Sequence, residues 1–239
     1  MNILVTGVSK GVGLEICKSL IQKGHTVYGI SRTYTKELEE LKRQYEDRFF
    51  HKIFDLSNVS DIHVKIFKAF IPNKIQLGGF VNNAAMAYDD IITNMNYSKL
   101  EAMYKTNVFA PMIMTKYVIR NMMLSKKGAI VHISSISAHT GYKGLAMYAS
   151  TKGALEAFSK NTAREWGELG VRSNVVIPGF METAMSESLS EDQKRRIYQR
   201  TSLKRDTDIT SVAETVCFLL SNEACSITGQ NIHVDNGTI

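Results

Sequence analysis

Tyr148 and Lys152 stand four residues apart in the stretch "YASTK", so a helix starting near Tyr148 would carry both on one face. A phenol has a reference pKa of about 10 and is a poor proton donor or acceptor near neutrality. An ammonium beside it favours the phenolate and lowers that value. Such a tyrosine becomes a usable general acid for a carbonyl oxygen that is receiving a hydride. By itself the spacing is weak, because chance Tyr and Lys pairs are common on helix surfaces. Ser134 and Ser135 add context: they end the apolar run "GAIVHISS", and Ser135 precedes Tyr148 by thirteen residues. The C-terminal end of a strand is where α/β sheets present groups to a ligand.

A second cluster lies near the start, in "TGVSKGVG" from Thr6 to Gly13, between the apolar run Ile3-Leu4-Val5 and an amphipathic run from Leu14 to Leu20. Strand, glycines and helix in that order suggest a phosphate cradle at a helix N-terminus. A nucleoside triphosphate loop would end in Gly-Lys-Ser/Thr, whereas Gly11 leads to Val12 and Gly13. A dinucleotide fits this order better; a tight turn with no ligand would use the same glycines.

The elements that must position these groups alternate along the chain. Ile3-Leu4-Val5 precedes a helix from about 11 to 23, and "HTVYGI" follows Gly24, a residue suited to ending that helix. "FFHKIFDL", "GGFVNNAA", "GAIVHISS", "VRSNVVIPG" and "NIHVDNG" read as five further strands. Helical patterns fall at about 59–70, 98–125, 148–169 and 210–221. Strand and helix alternating at this spacing imply parallel pairing with right-handed crossovers. The expected fold is α/β: a single doubly wound domain over residues 1–239, with a seven-stranded parallel sheet and helices on both faces. The irregular stretch 180–208 follows a strand end on the ligand side and is expected to form a lid.

At 239 residues and 44% hydrophobic, the chain can bury a sizeable core, which argues against disorder. No run is apolar enough to span a bilayer, and Met1 leads directly into the first strand, so the expectation is a cytoplasmic protein. Cys17, Cys217 and Cys225 lack metal or redox spacing and read as reduced, mostly buried thiols; no metal site is expected. The net charge of +6 admits an anionic partner, but no nucleic-acid-binding signature accompanies it.

Taken together, the motifs resemble the short-chain dehydrogenase/reductase family over essentially the whole length. Thr6, Gly7, Gly11 and Gly13 match its Thr-Gly-x-x-x-Gly-x-Gly pattern; Asn82, Asn83 and Ala84 match Asn-Asn-Ala-Gly, with Ala85 in place of the last glycine. Asn107 in "KTNVFAP", Ser135, the Tyr148 and Lys152 pair, and Pro178-Gly179 complete the pattern. The resemblance implies that Ser135 bonds the substrate carbonyl and that Tyr148 exchanges its proton. It implies further that Lys152 holds the nicotinamide ribose while lowering the tyrosine pKa, and that Asn107 holds a relay water. Ser134 would support by hydrogen bonding. The implied cofactor contacts are Thr6, Gly7, Ser9, Lys10, Gly11, Val12, Gly13, Ser31, Arg32, Thr33, Asp55, Leu56, Asn83, Ala84, Ala85, Tyr148, Lys152, Pro178, Gly179 and Thr183.

Members that use NAD carry an acidic residue at the end of the second strand; here that position is Ser31, followed by Arg32 and Thr33. With Lys10 close by in sequence terms, Arg32 could pair with a 2'-phosphate, an arrangement that resembles members preferring NADP(H). The closest subgroup resemblance is to bacterial 3-oxoacyl-acyl-carrier-protein reductases, through "PGFMETAM", "LSEDQKRRI" and "ITGQNIHVDNG". It implies a ketone on an acyl carrier protein as substrate. Lys194, Arg195, Arg196, Arg200, Lys204 and Arg205 would suit an acidic carrier, as would Lys126 and Lys127, whereas Leu169 stands where a second basic contact is expected. A solvated helix face explains a basic run equally well. A sugar or other secondary alcohol is the alternative substrate, and a non-catalytic NADP(H) sensor a more distant one. Met86, Ala87, Tyr88, His139, Thr140, Tyr142, Met181 and Met185 are expected to border the cleft. The family assembles as homodimers or homotetramers through the two long helices, where Met103, Val108, Met112, Ala154, Leu155 and Phe158 could serve either interface or core. A homotetramer is the expectation.

Overall fold

The computed structural model describes residues 1–72, 74–182 and 190–238. Seven strands form one sheet in the order β3-β2-β1-β4-β5-β6-β7. They are β1 (Asn2–Thr6), β2 (Thr26–Ser31), β3 (Phe49–Ile53), β4 (Leu77–Asn82), β5 (Gly128–Ile133), β6 (Val171–Pro178) and β7 (Asn231–Val234), and every pairing is parallel. The α-helices are α1 (Gly11–Gln22), α2 (Lys36–Gln44), α3 (Tyr97–Tyr104), α4 (Ala110–Met122), α5 (Ser137–Thr140), α6 (Ala146–Trp166), α7 (Glu191–Tyr198) and α8 (Ile209–Leu220).

The strands are apolar on both sides because both faces are covered. Ile3, Val5, Val81, Val131 and Val176 meet Leu20 of α1 and Val212, Val216 and Leu220 of α8. Leu4, Ile30, Phe80 and Ile130 project to the opposite face, against Ala110, Met114 and Val118 of α4. Strand order reverses between β1 and β4, which opens a crevice at the C-terminal strand ends.

Two expected helices differ in form. The 59–70 pattern is a 3-10 turn (Val59–Asp61) followed by a π-helical segment (His63–Lys68). The 98–125 pattern is broken by a π-turn at Lys105–Phe109, placing Asn107 where α3 passes into α4. On the long helices, Met103, Val108 and Leu155 are core residues, at 0, 4 and 1% exposure. Met112, Ala154 and Phe158 are half-buried and Phe109 is exposed, so only the latter set remains open to a partner. Cys17 and Cys217 are buried and Cys225 is exposed. No helix among the described residues is long and apolar enough to cross a membrane.

Candidate active site

Thr6 ends β1, and its hydroxyl accepts hydrogen bonds from the main-chain N–H groups of Asn83 and Ala84, both at 3.1 Å. The Asn83 side chain donates in return to the carbonyls of Thr6 and Gly7, at 3.0 and 3.1 Å. The turn after β1 is thereby fastened to the end of β4. Gly7 has φ +75°, and a Cβ there would lie 2.8 Å from Ala84 Cα. At Gly13 a Cβ would run into the Gly7 carbonyl and the Asn83 amide. These two glycines serve packing within the protein.

Gly11 is different. It has φ +58°, and nothing stands within 4 Å of where its Cβ would be. Beside it, Lys10 occupies the N-cap of α1 without a side-chain capping bond, and the first turn holds no acidic residue. An uncapped helix start offers free N–H donors and about half a positive charge, which fits the pyrophosphate of a nicotinamide dinucleotide.

The other expected cradle residues divide. Ser31 is buried, its hydroxyl donating to the Thr33 carbonyl at 2.7 Å and lying 2.8 Å from Nε2 of His51. His51 is held neutral, its pKa brought down to about 4 by burial and by Lys42. Ser31 is thus engaged internally, while Arg32, Thr33 and Lys10 are exposed. Neither Lys10 nor Arg32 enters an ion pair among the described residues. Ser9 is half-buried, its carbonyl accepting from the Thr35 hydroxyl. Asp55 accepts from the Ser57 N–H at 2.9 Å. The Val12 and Leu56 side chains belong to the core, which leaves their main-chain groups for the expected cofactor contacts. Ala85 has no positive φ, so the backbone there needs no glycine. Pro178 ends β6 and its carbonyl accepts from the Ile136 N–H; Gly179 is packed so close to Asp235 that a Cβ would lie 2.7 Å from its Cα. Thr183 and Met185 lie outside the described residues.

The reacting side is built by β5 and α6. Ser135 follows β5, and its hydroxyl accepts from the Ser137 N–H at 3.2 Å and lies near enough to the Tyr148 phenol to act on its ionisation. Lys152 lies one turn beyond Tyr148, its Nζ 5.5 Å from that ring's centroid and donating to the Ile133 carbonyl at 2.9 Å. Ser135, Tyr148 and Lys152 therefore converge as expected.

Their electrostatics depart from expectation. Burial pushes Tyr148 up to about 12, the Asp89 carboxylate adds to the rise, and the Ser135 hydroxyl opposes it. Burial brings Lys152 down to about 8, opposed by Glu156. The net direction for the phenol is upward, set by burial and Asp89, while the Lys152 side chain donates to the Ile133 carbonyl.

Asn107 lies on the π-turn between α3 and α4. Its side chain pairs with Met86, accepting from N–H at 2.9 Å and donating to the carbonyl at 2.8 Å, and it donates to Thr151 Oγ1 at 3.1 Å. The π-turn aims this amide at the loop after β4 and ties that loop to α6.

Around the cleft, Tyr88 is buried with Met103 and Met147, and its hydroxyl accepts from the Asn96 N–H, so it is a packing residue. Tyr142 packs against Ile136, Val175 and Ile177. Met86 is half-buried and Ala87 exposed, and Met181 leans on the core. A cleft of about 420 Å³ opens between Asp90, Ile91 and Thr93 on one side and Ser137, Lys143 and Ala149 on the other. Sequence reasoning missed Asp89 and Glu156. The spacing of Glu156 four residues after Lys152 was the available signal.

A family model described as enoyl-(acyl carrier protein) reductase matches residues 7–238. The chain is 33% identical to the 3-oxoacyl-[acyl-carrier-protein] reductase FabG of Buchnera aphidicola over 233 residues, covering 98% of this chain and 95% of that protein. A solved structure of a putative betaketoacyl-ACP reductase superposes with a TM-score of 0.85 at 26% identity, covering 99% of this chain and 97% of that one. A gluconate 5-dehydrogenase from Burkholderia cenocepacia, in complex with NADP and tartrate, shares the fold with a TM-score of 0.91 at 24% identity, covering 99% and 94%. Sheet order, open helix start, converged Ser, Tyr and Lys, and these likenesses together place the chain in the short-chain dehydrogenase/reductase family, as an NAD(P)-dependent oxidoreductase acting on CH–OH groups.

Proposed function

We propose that the protein is an NADPH-dependent ketoreductase whose substrate is a 3-oxoacyl thioester. The carrying observation is the likeness in sequence, over almost the full chain, to 3-oxoacyl-acyl-carrier-protein reductases. In support, Arg195, Arg196, Arg200 and Arg205 on and after α7 are exposed and free of ion pairs among the described residues. They would meet an acidic carrier protein. Lys194 is less available than its sequence suggests, because it pairs with Glu182 and Glu191.

When bound, the cofactor supplies the hydride. The chain's own groups do the rest. The Ser135 hydroxyl, beside Tyr148, would donate to the substrate carbonyl, and Tyr148 would deliver the proton to that oxygen as charge develops. A phenol held well above neutrality keeps its proton until then. Lys152 would hold the ribose through its ammonium, and Asn107 would fix the Met86 loop at the edge of the site. Lys10 and Arg32 would take the 2'-phosphate. Of the lid expected over 180–208, residues 183–189 lie outside the described residues and the rest would close over the site; the long helices would form a homotetramer, testable by light scattering at micromolar concentration.

A sugar or similar secondary alcohol is the second reading, supported by the polar rim Asp90, Thr93 and Lys143 of the cleft. The test is NADPH oxidation with 3-oxoacyl thioesters beside keto-sugars. Thioester turnover supports the first reading, and turnover of keto-sugars alone replaces it with the second. Equal dissociation constants for NADH and NADPH would refute the cofactor preference. Arg32→Ala should narrow the difference by about tenfold.

A further inference from the structure

Glu156 is a carboxylate at 9% exposure on α6, a little over two turns beyond Tyr148. Burying such a group is costly unless its oxygens are hydrogen-bonded throughout. Here the donors come from three other elements. Oε1 accepts from the Ser134 hydroxyl at 2.5 Å and lies 3.1 Å from Nε2 of His139, and Oε2 lies 3.0 Å from the same nitrogen. Oε2 also accepts from the Asn231 side chain of β7 at 2.9 Å.

The positions of these donors matter. Ser134 immediately precedes Ser135, and His139 follows it by four residues on α5. Main-chain bonds fasten this segment to β6: Ser134 N–H donates to the Val176 carbonyl and Ile136 N–H to the Pro178 carbonyl. They leave its distance from α6, the helix bearing Tyr148, to side chains. Lys152 provides one tie, to Ile133. Glu156 provides two, one at each end of the segment that carries Ser135.

We propose that Glu156 is a positioning residue that clamps residues 134–139 to α6, so that the Ser135 hydroxyl is presented to the Tyr148 phenol. The proposal rests on the reading of Ser135 and Tyr148 given above. A glutamine in this place offers one acceptor oxygen and adds an amide donor facing Asn231, so it cannot satisfy the same three donors.

The test is a double-mutant cycle of Glu156→Gln and Ser135→Ala in the full-length enzyme. The readout is kcat with NADPH and acetoacetyl-coenzyme A, or a 5-keto-sugar acid if the thioester is not turned over. Glu156→Gln should lower kcat about tenfold with KM for NADPH unchanged, and should add no further loss once Ser135 is alanine. The same loss in both backgrounds would assign Glu156 a general structural role and overturn the proposal, as would no loss in the single variant. An unaffected Ser135→Ala enzyme would instead overturn the reading of Ser135 itself. Should Glu156→Gln fail to fold, Ser134→Ala removes one arm of the clamp. It should show about a threefold loss with the same dependence on Ser135, and its absence would count against the clamp.

Discussion

The cradle after β1 and the reacting site between β5 and α6 sit at C-terminal strand ends of one sheet with β4 between them, yet they are made of different materials. The cradle is backbone: Thr6 and Asn83 bond main-chain groups, Gly7 and Gly13 admit close approach, and Gly11 leaves a helix start open. The reacting site is ionisable side chains taken out of water, with Tyr148 pushed up to about 12 and Lys152 down to about 8. A shape built from backbone behaves alike over a wide pH range. A site built from a half-buried phenol and a buried amine and carboxylate holds one set of charges only within a window.

The largest effect is expected where the chemistry is isolated from the shape. Tyr148→Phe keeps the ring and its packing but loses the hydroxyl, so kcat should fall by about 10³-fold while the NADPH dissociation constant stays unchanged. Stopped-flow turnover beside a fluorescence titration separates the two. Weakened binding in that variant would blur the comparison.

The converse test works on the shape alone. Gly13→Ala must displace the Gly7 carbonyl or the Asn83 amide, and should cost about 1–3 kcal/mol of stability along with cofactor affinity, read from urea unfolding. Gly11→Ala meets no neighbour and should cost about 1–2 kcal/mol, through its left-handed backbone alone. Equal packing losses at both positions would contradict the distinction drawn between them.

The pH dependence should show the same divide. Lys152 is an ammonium below about 8 and loses its proton above that, so kcat should decline by about tenfold per unit on the alkaline side while NADPH binding through the cradle changes less. A profile of kcat flat to pH 10 would remove Lys152 from the reacting set.

A smaller effect concerns His132 on β5, which is wholly buried between Phe80 and Phe158 with its pKa brought down to about 3 by burial and by Lys152. Between about 3 and 6.5 the unfolded chain binds a proton that the folded chain does not, so stability is full above 6.5 and falls as pH drops. The slope is at most about 1.4 kcal/mol per pH unit. Urea midpoints at pH 7 and pH 5 should differ accordingly, and His132→Leu should flatten the difference.

Much of the architecture could be read in advance, for local reasons. Ile3-Leu4-Val5, "GAIVHISS" and "VRSNVVIPG" are apolar on both faces because the sheet is covered on both, and right-handed helical crossovers between parallel strands leave little topological choice. Within the site, Ser135, Tyr148 and Lys152 could be named because a strand end and an i, i+4 helical pair are written in sequence spacing. Asn107 could be named, but its partners could not. That its amide faces Met86 and Thr151 depends on a π-turn whose energy comes from tertiary hydrogen bonds rather than from the residues of the turn. Tyr88 misled for a related reason: an aromatic near a cleft and one beneath it have the same local pattern.

What the sequence determined by itself is the order of strands and helices, the open helix start at Gly11, and the identity of the proton-bearing residues. Each follows from steric and periodic rules acting within a few neighbours. The tertiary structure decided which glycines are packed against the protein and which stand in open space, how far burial moves Tyr148 and Lys152, and that Glu156 reaches Ser134 and His139 from two turns beyond Tyr148. Those properties depend on groups remote in sequence, on how much water they exclude and on which donors they supply, and only the folded chain sets them.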